Sequence, residues 1–156
     1  MSPIEARTLL LVSEIERDWQ GVAQALNRAR SVDPKAGEAP AALVALSLDH
    51  AYQAFETMLV RVERALGLAE RTGSAWHAAL LFEAGVPLAG LRPALYPQAV
   101  RDDWDALMRF RHFLRHAYLV ELDAERLRTN VDHLARAVAG TEPLVRALTQ
   151  ALVTRE

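Results

Sequence analysis

The feature that most constrains the fold is a stripe of apolar residues that recurs every three or four positions in the middle of the chain. Its seven members follow one another in steps of 4, 4, 3, 4, 3 and 4 and are Val44, Leu48, Tyr52, Phe55, Leu59, Val62 and Leu66. This spacing places all of them on one face of an α-helix. The near-heptad rhythm predicts a long helix that packs lengthwise against other helices.

The composition makes helices the expected structure for the rest of the chain as well. Ala and Leu fill 52 of 156 positions, whereas Ile fills two and the aromatic residues make up 6%. Because strands are enriched in β-branched and aromatic residues, an all-β protein is excluded. A chain of this length is expected to form one domain, and we assign residues 1–156 to it.

Apolar rhythm and helix-breaking residues together predict five helices. The first is expected from Pro3 to Arg30 with Ser2 as its cap, followed by an exposed connection from Ser31 to Pro40 and a second helix to about Glu70. The third is expected at about Ala75 to Ala84, the fourth from near Pro97 past Tyr118, and the fifth from its cap Asp123 to the C-terminus with a kink near Gly140. The predicted fold is all-α, an up-down helical bundle.

Several classes of protein are excluded by what the chain lacks. It has no cysteine, so it has no disulfide framework, thiolate nucleophile or cysteine metal site. It has neither an uncharged apolar run of ~18 residues nor a basic leader, so we expect no membrane span, no signal peptide and a cytoplasmic location. The net charge of −2 argues against a protein that coats nucleic acid with a basic surface, but it leaves room for a local basic site.

One segment near the end of the fourth helix carries most of the candidate chemistry. Three arginines and two histidines fall within eight residues, and they are Arg109, Arg111, His112, Arg115 and His116. Arg111 and Tyr118 occupy positions on the apolar stripe of that helix. A guanidinium there is costly unless it is paired or faces a wet cleft, and such violations of packing rules are expected at functional sites.

The residue types in this segment suit phosphodiester chemistry. Arginine offers a planar donor fork for a phosphate, and histidine moves protons near neutral pH. Without a thiol or an acidic cluster for Mg²⁺, such a site would cleave RNA without metal, through attack by the 2′-hydroxyl. Arg111 and His116, however, are ~140° apart around a straight helix. One substrate contacting both needs a helix distortion or a second copy of the chain in a symmetric dimer.

A structural interpretation competes with this one. Arg111 would then form a salt bridge with Glu56 or Glu63 across a helix pair, and the histidines of the segment would lie on the surface. His112 and His116 have the i, i+4 spacing of a zinc site, but the cation between them disfavours metal, so no metal and no cofactor are expected.

Other candidate residues elsewhere in the chain are better explained by structure. We expect His77 to be a packing or capping residue, and His50 and His133 to be structural or superficial. Gly73-Ser74 followed by Asp103-Trp104-Asp105 superficially resembles a nucleotidyltransferase motif, but the gap is too long and the context is helical. These acids are expected to start or solvate the fourth helix.

The segment resembles the Arg-x4-His-x-Tyr motif of HepT-like toxins, which are ribonucleases of the HEPN superfamily. It reads Arg111-His112-Phe113-Leu114-Arg115-His116-Ala117-Tyr118, with His112 in the polar position that follows the arginine. Phe110 before the motif, Glu121-Leu122-Asp123 after it, and Trp76-His77 ahead of Leu80-Leu81 are similar to the longer HepT branch. The resemblance spans roughly residues 48–134, so the first helix, residues 1–30, lies outside it.

The resemblance implies a role for each matched residue. Arg111 and His116 would be the catalytic pair, and His112 would support them. Independently of the resemblance, we expect Arg109 and Arg115 to contact RNA phosphates. Tyr118 would be the hydroxyl to which a partner, an MntA-type nucleotidyltransferase antitoxin, transfers AMP.

The resemblance also implies a HEPN-like homodimer whose two motifs share one cleft, and a toxin that cleaves RNA within a type VII-like toxin–antitoxin pair. The alternative is a non-catalytic helical module that binds a nucleotidyltransferase and presents a substrate to it.

Overall fold

The computed structural model describes residues 1–117 and 122–154, which form five α-helices, two single 3₁₀ turns and no strand. The helices are α1 (Pro3–Arg30), α2 (Glu38–Ala65), α3 (Trp76–Ala84), α4 (Arg101–His116) and α5 (Ala124–Thr154). The prediction of an all-α bundle of five helices is therefore confirmed. None of the described helices is both long and apolar enough to span a membrane.

Helix α2 lies at the centre of the bundle and contacts the four other helices. Its predicted apolar stripe is buried from Val44 to Val62, and Phe55 stacks on Trp104 of α4 with ring centroids 3.7 Å apart. Trp19 of α1 and Tyr96 of the α3–α4 connection meet the same Phe55 ring edge-on. This aromatic cluster fixes α4 against α2, and thereby sets which residues of the two helices face each other.

The starts of α1 and α5 follow the capping signals in the sequence. Ser2 and Glu5 form a reciprocal capping box at the start of α1, and the Asp123 carboxylate accepts a hydrogen bond from the backbone of Glu125 at the start of α5. Helix α2 begins at Glu38, inside the predicted connection. Pro40 is accommodated in its first turn, where a missing N–H leaves no hydrogen bond unmade.

Two predicted helix ends are wrong. Helix α2 stops at Ala65 and not near Glu70, because Gly67 adopts a left-handed φ of 73° and the backbone closes a Schellman motif from Leu68 to Glu63. Helix α4 stops at His116, since Ala117 leaves the helical region with φ −99° and ψ 79°. The predicted continuation through Tyr118 falls on a residue outside the described part of the chain.

Helix α5 is continuous through Gly140 and Pro143, and the kink expected near Gly140 stays a prediction. Gly140 lies where α5 crosses the 3₁₀ turn Gln98–Val100 that precedes α4. A Cβ atom on Gly140 would lie 2.7 Å from a methyl carbon of Val100. The missing side chain therefore lets the start of α4 approach α5 closely.

Candidate active site

Arg111 is the buried cation that the sequence predicts, and α2 supplies its partners. Its Nε donates to the Asp49 carboxylate at 3.0 Å, and its Nη1 donates to the Glu56 carboxylate at 3.5 Å. Asp49 and Glu56 are seven residues apart, which places them on one face of α2 two turns from each other. Arg111 is 8% exposed. Its Nη2 has no hydrogen-bond partner among residues 1–117 and 122–154, so that edge of the guanidinium remains available.

The second oxygen of Glu56 holds a histidine. Nδ1 of His77, in the first turn of α3, lies 2.7 Å from Oε2 of Glu56. Glu56 is 7% exposed, and its two oxygens therefore join a cation of α4 to an imidazole of α3. His77 does not cap α3, whose N-terminus has no side-chain cap.

A cleft of about 440 Å³ opens beside this network. Its basic and aromatic lining residues are Tyr52, His77, Arg109, Arg111, His112 and Arg115. The remaining described lining residues are small or apolar, and none is a carboxylate. The carboxylates that hold Arg111 thus lie behind the cation, and the charged side chains that face the cleft from residues 1–117 and 122–154 are basic.

Tyr52 borders the cleft, and its hydroxyl is buried. The residue is 1% exposed, and burial, with the nearby Glu56 carboxylate, raises the pKa of its phenol. The hydroxyl therefore stays protonated. It is buried and has no hydrogen-bond partner among the described residues.

The predicted site residues do not all face the same space. Arg109, Arg111, His112 and Arg115 line the cleft together, whereas His116 is exposed at the last turn of α4 and is absent from the lining. Nδ1 of His116 donates to the backbone oxygen of His112 at 2.8 Å, and the two imidazole rings are 4.3 Å apart. Tyr118 lies outside the described residues.

The competing structural interpretation predicted a salt bridge of Arg111 with Glu56 or Glu63. Arg111 does bind Glu56, although Glu63 instead binds Arg71. Asp49 was missed by the sequence reasoning. The signal that could have found it is the 49, 52, 56 spacing, which puts both carboxylates on the face of Tyr52.

Asp103, which belongs to the segment that superficially resembles a nucleotidyltransferase motif, has structural contacts. Asp103 is buried and accepts hydrogen bonds from His133 at 2.7 Å and from Arg136 at 3.0 Å, both on α5. Trp104, beside it, is a core residue whose indole donates to Thr141. These contacts tie α4 to α5.

A comparison with known families assigns the chain. The model of a family described as HepT-like protein matches residues 43–152, which cover most of α2, all of α3 and α4, and nearly all of α5. The chain belongs to the HepT-like family. The match extends beyond the 48–134 resemblance at both ends and leaves α1 outside. No curated protein and no solved structure matches the chain.

Membership in the HepT-like family makes this protein a member of the HEPN-type toxins and indicates a component of a toxin–antitoxin system. The cleft beside Arg111 lies entirely between elements within the matched region.

Proposed function

We propose that this HepT-like protein is the toxin of a type VII-like toxin–antitoxin pair and an endoribonuclease that works without metal. The observation that carries the proposal is the cleft whose charged lining is basic, with Arg111 fixed at its edge by two carboxylates from α2. Fixed cations facing a phosphodiester stabilise the charge that develops when it is cleaved.

In the proposed reaction, the 2′-hydroxyl oxygen of the RNA attacks the adjacent phosphorus and the bond from phosphorus to the 5′-oxygen breaks. The products carry a 2′,3′-cyclic phosphate and a 5′-hydroxyl. Arg111 stabilises the phosphorane, His116 transfers a proton, and His112 supports His116 through its backbone oxygen. Arg109 and Arg115 contact neighbouring phosphates.

The proposed enzyme is a homodimer, and the direction of His116 supports this. Arg111 lines the cleft while His116 of the same chain does not, and α4 is a regular helix between them. A second copy related by two-fold symmetry would supply its own His116 to the cleft.

Neutralisation is proposed to act on Tyr118. An MntA-type nucleotidyltransferase would transfer AMP to its hydroxyl, two residues after His116 in the sequence. The added phosphate is negatively charged, so it would compete with RNA for the basic side chains of the cleft.

A second candidate is a non-catalytic module that binds a nucleotidyltransferase and presents a substrate to it. The pairing of Arg111 with two carboxylates favours it, because a buried ion pair also serves to hold two helices together.

Cleavage of RNA by purified variants separates the two candidates. Wild-type protein with EDTA is expected to cut labelled RNA, and Arg111→Ala and His116→Ala are each expected to lower the rate by about 10²–10⁴-fold. Intact RNA with all three proteins, each folded by circular dichroism, would reject the ribonuclease and leave the binding module.

A further inference from the structure

His77 is the one described histidine that both lines the cleft and is held by a buried carboxylate. Oε2 of Glu56 lies 2.7 Å from its Nδ1, and Oε1 of the same carboxylate accepts from Arg111. His112 also lines the cleft, but its ring has no carboxylate partner among the described residues.

The partner of Nδ1 decides which nitrogen of His77 is available. A carboxylate accepts hydrogen bonds and does not donate, so Nδ1 carries the proton in the neutral imidazole. Nε2 is then left with a free lone pair, which is the state required of a general base.

The ring of His77 is both accessible and held in orientation. Its side chain is 43% exposed, while the Trp76 ring stacks on it at 3.6 Å between centroids. The carboxylate holds the Nδ1 edge of the imidazole, and the indole covers one face of the ring. These two contacts fix the orientation of the ring and therefore of its Nε2 edge.

His133 is a second histidine bound to a buried carboxylate, and its contacts are structural. Its Nδ1 also lies 2.7 Å from a buried carboxylate, that of Asp103, but Arg136 binds the same oxygen and His133 does not line the cleft. The difference between the two histidines is the basic cleft in front of His77.

We propose that His77 is a further catalytic residue, the general base of the cleft, with Glu56 as its positioning residue. The proposal rests on the ribonuclease function. Nε2 of His77 takes the proton of the 2′-hydroxyl as the bond from that oxygen to phosphorus forms. Protonated His116 of the second copy gives a proton to the 5′-oxygen as its bond to phosphorus breaks. One proton is taken up and one released, so the two histidines exchange protonation states in each turnover.

Charged and titratable groups from two neighbouring helices face His77. Those of α2 are Tyr52 and Glu56, and those of α4 are Arg109, Arg111, His112 and Arg115. Histidine is the side chain that ordinarily changes charge between about pH 5 and pH 8, so a rate limb in this range would report a histidine of the site.

The test is the pH–rate profile of RNA cleavage by wild type and His77→Asn. The asparagine amide keeps a donor for Glu56 but has no group that accepts a proton. We expect a fall in kcat of about 10²–10⁴-fold and loss of the limb in which the rate rises with pH. Added imidazole is expected to restore part of the activity of His77→Ala, as a missing base can be replaced by a free one.

His133→Asn is the matched control, because it removes a carboxylate-bound histidine that does not line the cleft, and it should cleave with the wild-type rate and profile. His77→Asn with wild-type rate and profile, while Arg111→Ala is inactive, would overturn the role of His77 and leave the ribonuclease standing. A rate loss with an unchanged profile and no imidazole rescue would overturn it too, by showing mere structural support. If wild type leaves RNA intact, both proposals fall.

Discussion

Arg111 illustrates how a residue that violates a packing rule can mark a site and yet be structurally satisfied. A buried cation without partners would cost several kcal/mol, and Asp49 and Glu56 offset that cost from the neighbouring helix. The same two contacts fix the direction of the guanidinium. Preorganised charge is what catalysis requires, so the ion pairs that stabilise the residue also suit it to bind a phosphate.

At the residue scale, modification of Tyr118 gives a prediction that does not depend on cleavage. Incubation of the protein with the nucleotidyltransferase partner and ATP should add about 329 Da per AMP, because the phenol is replaced by a phosphodiester. Intact-mass spectrometry of wild type and Tyr118→Phe measures it.

Tyr52→Phe is the control, since its phenol is 1% exposed and should not be modified. A mass increase that survives Tyr118→Phe would assign the modification to another residue.

At the scale of the elements, the sequence predicted the helices well and their ends less well. Apolar rhythm and caps such as Ser2 and Asp123 are local signals, and they placed α1 and the start of α5 correctly. The end of α2 depends on the left-handed backbone of Gly67, which the apolar rhythm does not reveal. The partners of Arg111 depend on the packing of α4 against α2, which no local pattern specifies. Of its two partners, the sequence predicted only Glu56, and only within the competing structural interpretation.

Gly140 gives a prediction about how two elements fit. Gly140→Ala places a Cβ 2.7 Å from Val100, and relieving this contact should cost about 1–2 kcal/mol of the free energy of unfolding, despite the better helix propensity of alanine. Urea denaturation followed by circular dichroism measures the change.

Gly21→Ala in α1 is the matched control, because its Cβ would meet Ala54 at an ordinary 3.5 Å. It should stabilise the protein by about 0.5–1 kcal/mol through helix propensity. Equal effects of the two substitutions would show that the contact with Val100 does not constrain α5.

At the scale of the whole molecule, the net charge of −2 and the basic cleft are compatible. The acidic groups nearest the cleft are engaged behind Arg111 or in pairs such as Asp105 with Arg109, so the local field differs from the overall charge. A polyanion would then be attracted to the cleft. The assignment of residues 1–156 to one domain stays a prediction. Among the described residues, buried residues of α1, outside the family match, share a core with α2 and α5.

The dimer proposal makes a quantitative prediction about mixed proteins. If each site combines Arg111 of one chain with His116 of the other, two inactive variants should complement each other. Random 1:1 exchange of Arg111→Ala and His116→Ala makes half of the dimers mixed, each with one intact site, so about a quarter of wild-type activity should return.

Wild type mixed with the double variant should likewise keep about a quarter, since its mixed dimers have no intact site. A site contained within one chain gives the opposite pattern, because the two single variants then never complement and the second mixture keeps about half. Cleavage rates after co-refolding therefore decide whether His116 reaches the cleft from the partner.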